Sequence, residues 1–354
     1  MKKIISAAMA ALMAAALTAC GGSSTASTTA ATAPAETTAA ATATASGNSA
    51  AGSAESTWPN GSVNVVLNQT AGGGSDMLTR LLTDAMGKAT GQSFVVVNDT
   101  SGGNITACET VRNAKPEGYD LLATNCGTLT RMVTGQYAHT PDDFTVLGLY
   151  TTPSDEGYCV VVKADSEFQT LEDLIAYDQA NPGELVTSGQ VGGFVMFMEA
   201  ELEKMLGIKP TFVEGGSDGD RILTILGDSI DYALVSTLSA KQYVEAGDLR
   251  ALCMVNSPSK LIPDVKTLEE LGYQNSKLSN LMLLFGPKDM AQADVDAIGK
   301  ALEAASQDQT LIDGYAQLNC IWDYKSPAES KAMIDEMFQT LSEVYPVVQE
   351  MGLS

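Results

Sequence analysis

Residues 68–82 read NQTAGGGSDMLTRLL, and they follow the strand-like run VNVVL at residues 63–67. Three adjacent glycines stand between that run and a helical pattern. Over residues 76–89, Met77, Leu78, Leu81, Leu82, Ala85 and Met86 share one helical face, and Gly91 follows as a stop. A glycine turn from strand into helix lets backbone N–H groups converge at the positive end of the helix dipole. That is the setting in which an anion is held.

The same unit recurs outward from this stretch. SFVVV is a second strand with its own loop, NDTSGGN, before a helix carrying Ile105, Cys108 and Val111. KPEGY turns into the strand DLLATN, which ends in the small-residue loop CGT. A second series begins at YCVVVKAD. Thr170 and Asp173 form a capping box for a helix over residues 171–179, and residues 194–206 read as another helix. ELVTSGQVGG and TFVEGGSDGD are strand plus loop, IDYALVS and LRALCMV are strands, and NLMLLFGP reads as a buried strand returning to the first lobe. Helices from Ala291 and from Pro327 to Met351 close the chain. Repeated strand–loop–helix units predict an α/β fold with mostly parallel sheets.

The first residues carry a different message. MKK, the apolar run IISAAMAALMAAAL and TAC read as a secretory signal over residues 1–19, too short for a permanent span. Leu17-Thr18-Ala19-Cys20 fits a lipobox, so Cys20 is expected to be lipidated. Residues 20–57, nearly all Ala, Thr, Ser, Gly and Pro after the cysteine, are expected to be a disordered tether reaching about 35 Å. The remaining body, from Trp58 to Ser354, exceeds what one core usually organises and predicts two lobes. A net charge of −23 argues against nucleic acid and anionic lipid surfaces as partners, and an acidic ligand needs local donors to overcome that field.

Several chemistries are excluded by what the loops lack. No lysine follows Gly72–Gly74 as a P-loop requires, and Met77 stands where the dinucleotide fingerprint needs glycine. Gly215-Gly216-Ser217-Asp218-Gly219 satisfies G-x-S-x-G between a strand and a helix, the signature of a hydrolase nucleophile. The only histidine, His139, precedes Ser217, whereas in that fold it comes last, so Ser217 reads better as a helix cap or ligand donor. Asp218 and Asp220 lack the other oxygen ligands of a calcium loop and, like Asp76, suit a helix N-terminus. Met196, Met198 and Met205 are spaced for core packing. Beyond Cys20, the cysteines Cys108, Cys126, Cys159, Cys253 and Cys320 match no zinc or haem pattern and read as buried thiols. No cofactor and no metal are expected.

AGGGSD, VVVND, SGGNI, KPEGYDLL, CGTL, TLEDLIAYDQANPGEL, IDYALVSTLSA, AGDLRALCMV, SPSKLIPDVKTLEELGY and LFGPKD, in that order, resemble the extracytoplasmic solute receptors of tripartite tricarboxylate transporters, also called Bug receptors. The resemblance covers the body from Trp58. It implies a two-lobed periplasmic-binding-protein-like fold of type II, with the ligand in the interlobe cleft. Lobe I is expected over residues 58–160 plus 283–354 and lobe II over 161–282. The implied ligand is a small carboxylate held by backbone N–H groups, hydroxyls and water, without an arginine from the ligand loops. The implied partners are the small and large polytopic membrane subunits of a secondary transporter, and a monomer is expected.

Matched motif by motif, the first-lobe cradle is Thr70, Ala71, Gly72, Gly73, Gly74, Ser75 and Asp76. Thr124, Asn125, Cys126, Gly127, Thr128, Ser188 and Gly189 follow, and Gly215, Gly216, Ser236 and Thr237 face them from the second lobe. Asn68 and Gln69 replace the family's usual proline and aromatic, and Cys126 its common serine. Gly192-Gly193-Phe194-Val195-Met196 is poorer in hydroxyls than the family's loop. These departures predict a ligand with one carboxylate and a less polar remainder. A serine hydrolase using Ser217 and a lipoprotein that senses or docks partners stay open as alternatives.

Overall fold

Val63, Val65, Val66 and Leu67 are buried in β1 (Val63–Leu67), the strand that feeds the glycine loop. The computed structural model, which describes residues 56–151, 157–318 and 320–351, makes β1 an inner strand of a five-stranded sheet. The expected signal segment, Cys20 and the tether up to residue 55 lie outside the described residues. β2 (Phe94–Asn98) and β3 (Asp120–Asn125) flank β1 in parallel, with Leu67 opposite both Asn98 and Ala123. β10 (Met282–Gly286) is buried throughout and runs antiparallel to β3 and to β4 (Thr145–Thr151).

The intervening helices are α1 (Gly74–Thr90), the short α2 (Ser101–Asn104), α3 (Thr106–Arg112) and α4 (Gly127–Val133). In α1 the buried stripe is Leu78, Leu82, Ala85 and Met86, and it packs with Ile298 and Leu302 of α9 (Gln292–Ala305) and Leu311 and Tyr315 of α10 (Gln309–Gln317). Met77, expected on that face, is 40% exposed, because the stripe starting at Leu78 leaves it one helical step outside.

In the second lobe, β5 (Tyr158–Lys163) lies between β8 (Tyr232–Ser236) and β9 (Leu249–Met254) and is antiparallel to both. β6 (Val186–Gly189) and β7 (Thr211–Glu214) pair in parallel. They meet β8 where Asp231 N–H donates to the Val186 carbonyl at 2.9 Å and Val186 N–H to the Asp231 carboxylate at 2.7 Å. α5 (Leu171–Ala180), α6 (Phe194–Leu206), α7 (Asp218–Leu226) and α8 (Thr237–Ala246) surround these strands. The sheets are therefore less uniformly parallel than the strand–loop–helix pattern predicts. β5 enters from the first lobe and β10 returns to it, so each runs against its new neighbours.

The chain leaves the first sheet after β4 and returns to it at β10. The last helix, α11 (Pro327–Glu350), opens with a capping box between Ser326 and Glu329 and packs against both lobes. Tyr345 of α11 stacks on Phe197 of α6, ring centres 6.2 Å apart and 16° from parallel, and Lys277 reaches Glu336 at 2.9 Å. Among the described residues, no helix is long and apolar enough to cross a membrane.

Candidate functional site

Because β1 and β3 are parallel neighbours, the loops that follow them emerge side by side at one sheet edge, where α/β proteins bind ligands. Asn68 is fully buried there and joins the two loops. Its Nδ2 donates to Thr128 Oγ1 at 2.9 Å and to the Asn104 carbonyl at 3.2 Å, and its Oδ1 accepts from Thr124 Oγ1 at 2.8 Å. The hydroxyls of Thr124 and Thr128, expected as ligand donors, are buried and committed to Asn68 and, at 2.6 Å, to each other. They shape the edge from below. Asn68 itself, expected to mark ligand preference, is a structural pivot.

Asp76 does the same for the glycine loop. Its carboxylate accepts from Gly72 N–H and Arg80 Nε on one oxygen and from Asn98 Nδ2 on the other, all at 2.9 Å. Burial alone would raise this carboxyl, but those hydrogen bonds outweigh it and hold it at about 2. Gly72 sits at φ +79°, which L side chains rarely adopt, while Thr70, Ala71, Gly73 and Gly74 are exposed and Ser75 half-buried.

The second edge is built in parallel fashion by β6 and β7, with Gly189 opposite Glu214. Gly215 N–H donates to the Gly189 carbonyl at 2.8 Å, and a Cβ on Gly215 would lie 2.7 Å from Ser188 Oγ, so the close approach requires glycine. Ser188 is buried, and its hydroxyl has no hydrogen-bond partner among the described residues. Behind the loop stands Arg221, 3% exposed. It donates from Nη1 to the Gly216 carbonyl at 2.7 Å, from Nε to the Leu234 carbonyl at 3.1 Å, and from Nη2 to Asp218. The other Asp218 oxygen accepts from Ser236 N–H at 2.9 Å. Arg221 and Asp218 thus bring Gly215, Gly216 and Ser236 together, although no local sequence pattern announces it. Ser236 caps α8, and the buried Thr237 hydroxyl is committed to the Gly157 carbonyl.

Between the edges lies a cleft of about 500 Å³. Gln69, Asn125, Cys126 and Gly127 line it from the first edge, and residues 190–194 from the second. Tyr158 at the start of β5 and Asn280 just before β10 also line it, and Asn104, Thr130, Arg131 and Gln136 complete the first wall. Of the residues expected from sequence, Asn125, Cys126 and Gly127 therefore line this cleft. The ligand loops carry no arginine, but the helix that follows one of them brings one to the cleft. Arg131 lies one turn into α4, so it reaches the cleft while its Nη1 donates to the Gly127 carbonyl at 2.9 Å. The walls approach each other where a Cβ on Gly192 would lie 3.6 Å from Gln136 Nε2.

The Cys126 thiol is buried against Asn280 Oδ1 at 3.3 Å, and burial pushes it up to about 12, which leaves it unreactive. Tyr158 is likewise raised by burial and stays a neutral phenol donor. Among the described lining residues there is no Asp or Glu. Met196 and Met198 are core, as their spacing predicts, and Met196 Sδ accepts from Gly192 N–H at 3.3 Å.

Ser217 caps α7 in a closed capping box. Its N–H and hydroxyl donate to Asp220 at 2.8 and 2.7 Å, and Asp220 N–H donates back at 3.4 Å. His139 is engaged elsewhere, 3.3 Å from Glu109 and 3.3 Å from Asp143. The thiols of Cys108, Cys126, Cys159 and Cys253 are free and buried. Among the described residues, no group of three or more His, Cys, Asp or Glu is placed to hold a metal ion.

A sequence profile described as "Tripartite tricarboxylate transporter family receptor" matches residues 78–352. A UPF0065 protein of Agrobacterium vitis is 29% identical over 302 residues, covering 82% of this chain and 86% of that one. Among solved structures, a TctC solute binding protein from Polaromonas superposes with a TM-score of 0.73 at 23% identity, over 83% of this chain and 100% of that one. MatC of Rhodopseudomonas palustris, solved with bound malate, does so with a TM-score of 0.62 at 22% identity, over 81% and 99%. At these identities the structures establish a shared two-lobed fold.

Proposed function

From the premise that this chain belongs to the tripartite tricarboxylate transporter family of receptors, we propose that its cleft captures a small organic carboxylate by lobe closure. The observation that carries this reading is Arg131, a guanidinium in a cleft whose described lining has no acidic side chain. On a chain with a net charge of −23, an anion needs such a local cation to settle. The malate held by MatC fits the same class.

In this reading the carboxylate meets Arg131 and those backbone N–H groups of residues 70–76 and 125–127 that the loops do not themselves use, on one wall. Residues 188–189, 215–216 and 236–237 support the facing wall, and the lobes swing about the two places where the chain crosses between them, one between β4 and β5 and one just before β10. The first lies close to the boundary read from sequence at 160/161, which itself falls within β5. No bond is made or broken; the ligand passes to the polytopic membrane subunits of a secondary transporter. Cys20 carries the lipid that keeps the monomeric receptor at the membrane, on the extracytoplasmic side.

A thermal-shift screen of the mature chain against organic acids, malate included, tests this. A bound carboxylate at 100 times its dissociation constant adds about 2.7 kcal/mol of stability. Arg131→Gln should abolish the shift and Arg131→Lys should keep part of it. Stabilisation by neutral amides as strong as by their parent acids would refute the reading.

A further inference from the structure

Six carboxamide side chains line the cleft: Gln69, Asn104, Asn125, Gln136, Gln190 and Asn280. Only part of their bonding capacity is spent within the protein. Asn125 Oδ1 accepts from Gly127 N–H at 3.0 Å, Asn280 Oδ1 accepts the Cys126 thiol, and Gln69 Nε2 donates to Asn68 Oδ1 at 3.3 Å. The side-chain amides of Asn104, Gln136 and Gln190 make no hydrogen bond to another described residue. The large apolar groups of the lining are few, chiefly Val191, Phe194 and the Tyr158 ring. This lining favours a more polar ligand remainder than the sequence-based expectation. Its basis was the loop at residues 192–196, whereas the carboxamides arrive from six separate places in the chain.

We propose, resting on the receptor reading above, that this cleft selects carboxylates whose remaining carbons carry hydroxyl groups over their unsubstituted counterparts. A carboxamide offers two donors and an acceptor, and a hydroxyl both gives and takes one hydrogen bond, so the two are matched. A bare methylene chain would strip water from these amides and return nothing. The alternatives fit the lining less well. A second carboxylate finds no second cation among the described lining residues, and an ammonium finds no carboxylate there. Gln136 and Gln190 stand on opposite walls, so a hydroxylated ligand held by both also ties the lobes shut.

Isothermal titration with two matched pairs, gluconate against hexanoate and tartrate against succinate, tests the proposal. The hydroxylated member should bind at least about tenfold tighter in at least one pair. Gln136→Leu and Gln190→Leu, both at exposed positions, should each shrink that ratio about fivefold or more while the melting temperature of the unliganded protein stays put. Equal or tighter binding of the unsubstituted acids overturns the selectivity and leaves the receptor reading standing. A ratio untouched by both variants also overturns it, because the carboxamides would then not be the readers. If no carboxylate of the wider panel binds, both readings fall together.

Discussion

Glu199 gives the sharpest test of the energetics. It is fully buried on α6, accepts from Thr187 Oγ1 at 2.6 Å and lies 3.3 Å from the Tyr232 hydroxyl. Burial pushes its carboxyl up to about 7, although both hydrogen bonds and the Arg221 charge pull the other way. Glu203, one turn later, is raised to about 8 by burial, with the charges of Glu199 and Asp178 adding to the rise. Asp178 is also raised by burial. An unfolded glutamate titrates near pH 4.3, so the folded chain holds the Glu199 proton more tightly. A raised group contributes stability that is complete below the unfolded value and fades as pH climbs through the folded one. For Glu199 the gap between about 7 and about 4.3 corresponds to roughly 3–4 kcal/mol.

Glu199→Gln keeps the shape, can still accept from Thr187, and removes the titration. The variant should exceed wild type by about 1 kcal/mol at pH 5 and by roughly 3–4 kcal/mol at pH 8. Its own stability should still fall somewhat with pH, because Glu203 remains. Urea denaturation followed by circular dichroism at pH 5, 6, 7 and 8 reads both curves directly. A gap between wild type and variant that stays constant across the four pH values would refute the reasoning.

Three further outcomes follow from the site's scaffolding. Asn68→Leu takes one partner from each of the buried hydroxyls of Thr124 and Thr128, leaving them paired with each other at 2.6 Å, and should lower stability by about 1–3 kcal/mol, read as a shift in the urea midpoint. Arg221→Leu removes the brace behind Gly216 and Ser236 and should cost about 3–5 kcal/mol. Adding Asp218→Asn to that variant should recover part of the loss, and no recovery would mean the charge was never the issue. Gly73→Val places a Cβ 3.2 Å from the Thr70 carbonyl at an ordinary φ of −77°, so the unliganded protein should lose only about 1 kcal/mol. The same variant should lose the thermal shift given by any carboxylate the wild type binds, and an unchanged affinity would move the glycine loop out of the site.

What could be read in the sequence was what neighbouring residues decide. α6 starts at Phe194 and ends at Leu206 as the pattern predicts, because Gly193 and Gly207 bound it. α5 begins where Thr170 and Asp173 close their capping box, and β10 shows itself by an unbroken apolar run. What could not be read depends on facing and on distance along the chain. Asn68 stands out in the sequence as unusual, yet only the fold reveals that it points into the sheet edge. Arg131 sits one turn into the helix after the CGT loop, past the stretch that the loop pattern marks, and Gln136 and Asn280 share no motif with the glycine loops they join. Arg221 ties a loop to a strand through two backbone carbonyls, and any residue supplies a carbonyl.

The absence of Asp and Glu from the described cleft lining has a consequence for how cargo is surrendered. Cys126 ionises only near 12, and Tyr158 is held neutral by burial. None of these lining groups changes charge across the pH range in which Glu199 tilts the stability of the fold. The grip on an ionised ligand should therefore stay level while the durability of the protein varies. An acidic or alkaline exterior would alter how long the molecule survives, and not what it carries. Unloading then calls for mechanical work that prises the walls apart, and a proton gradient alone would leave the cargo in place.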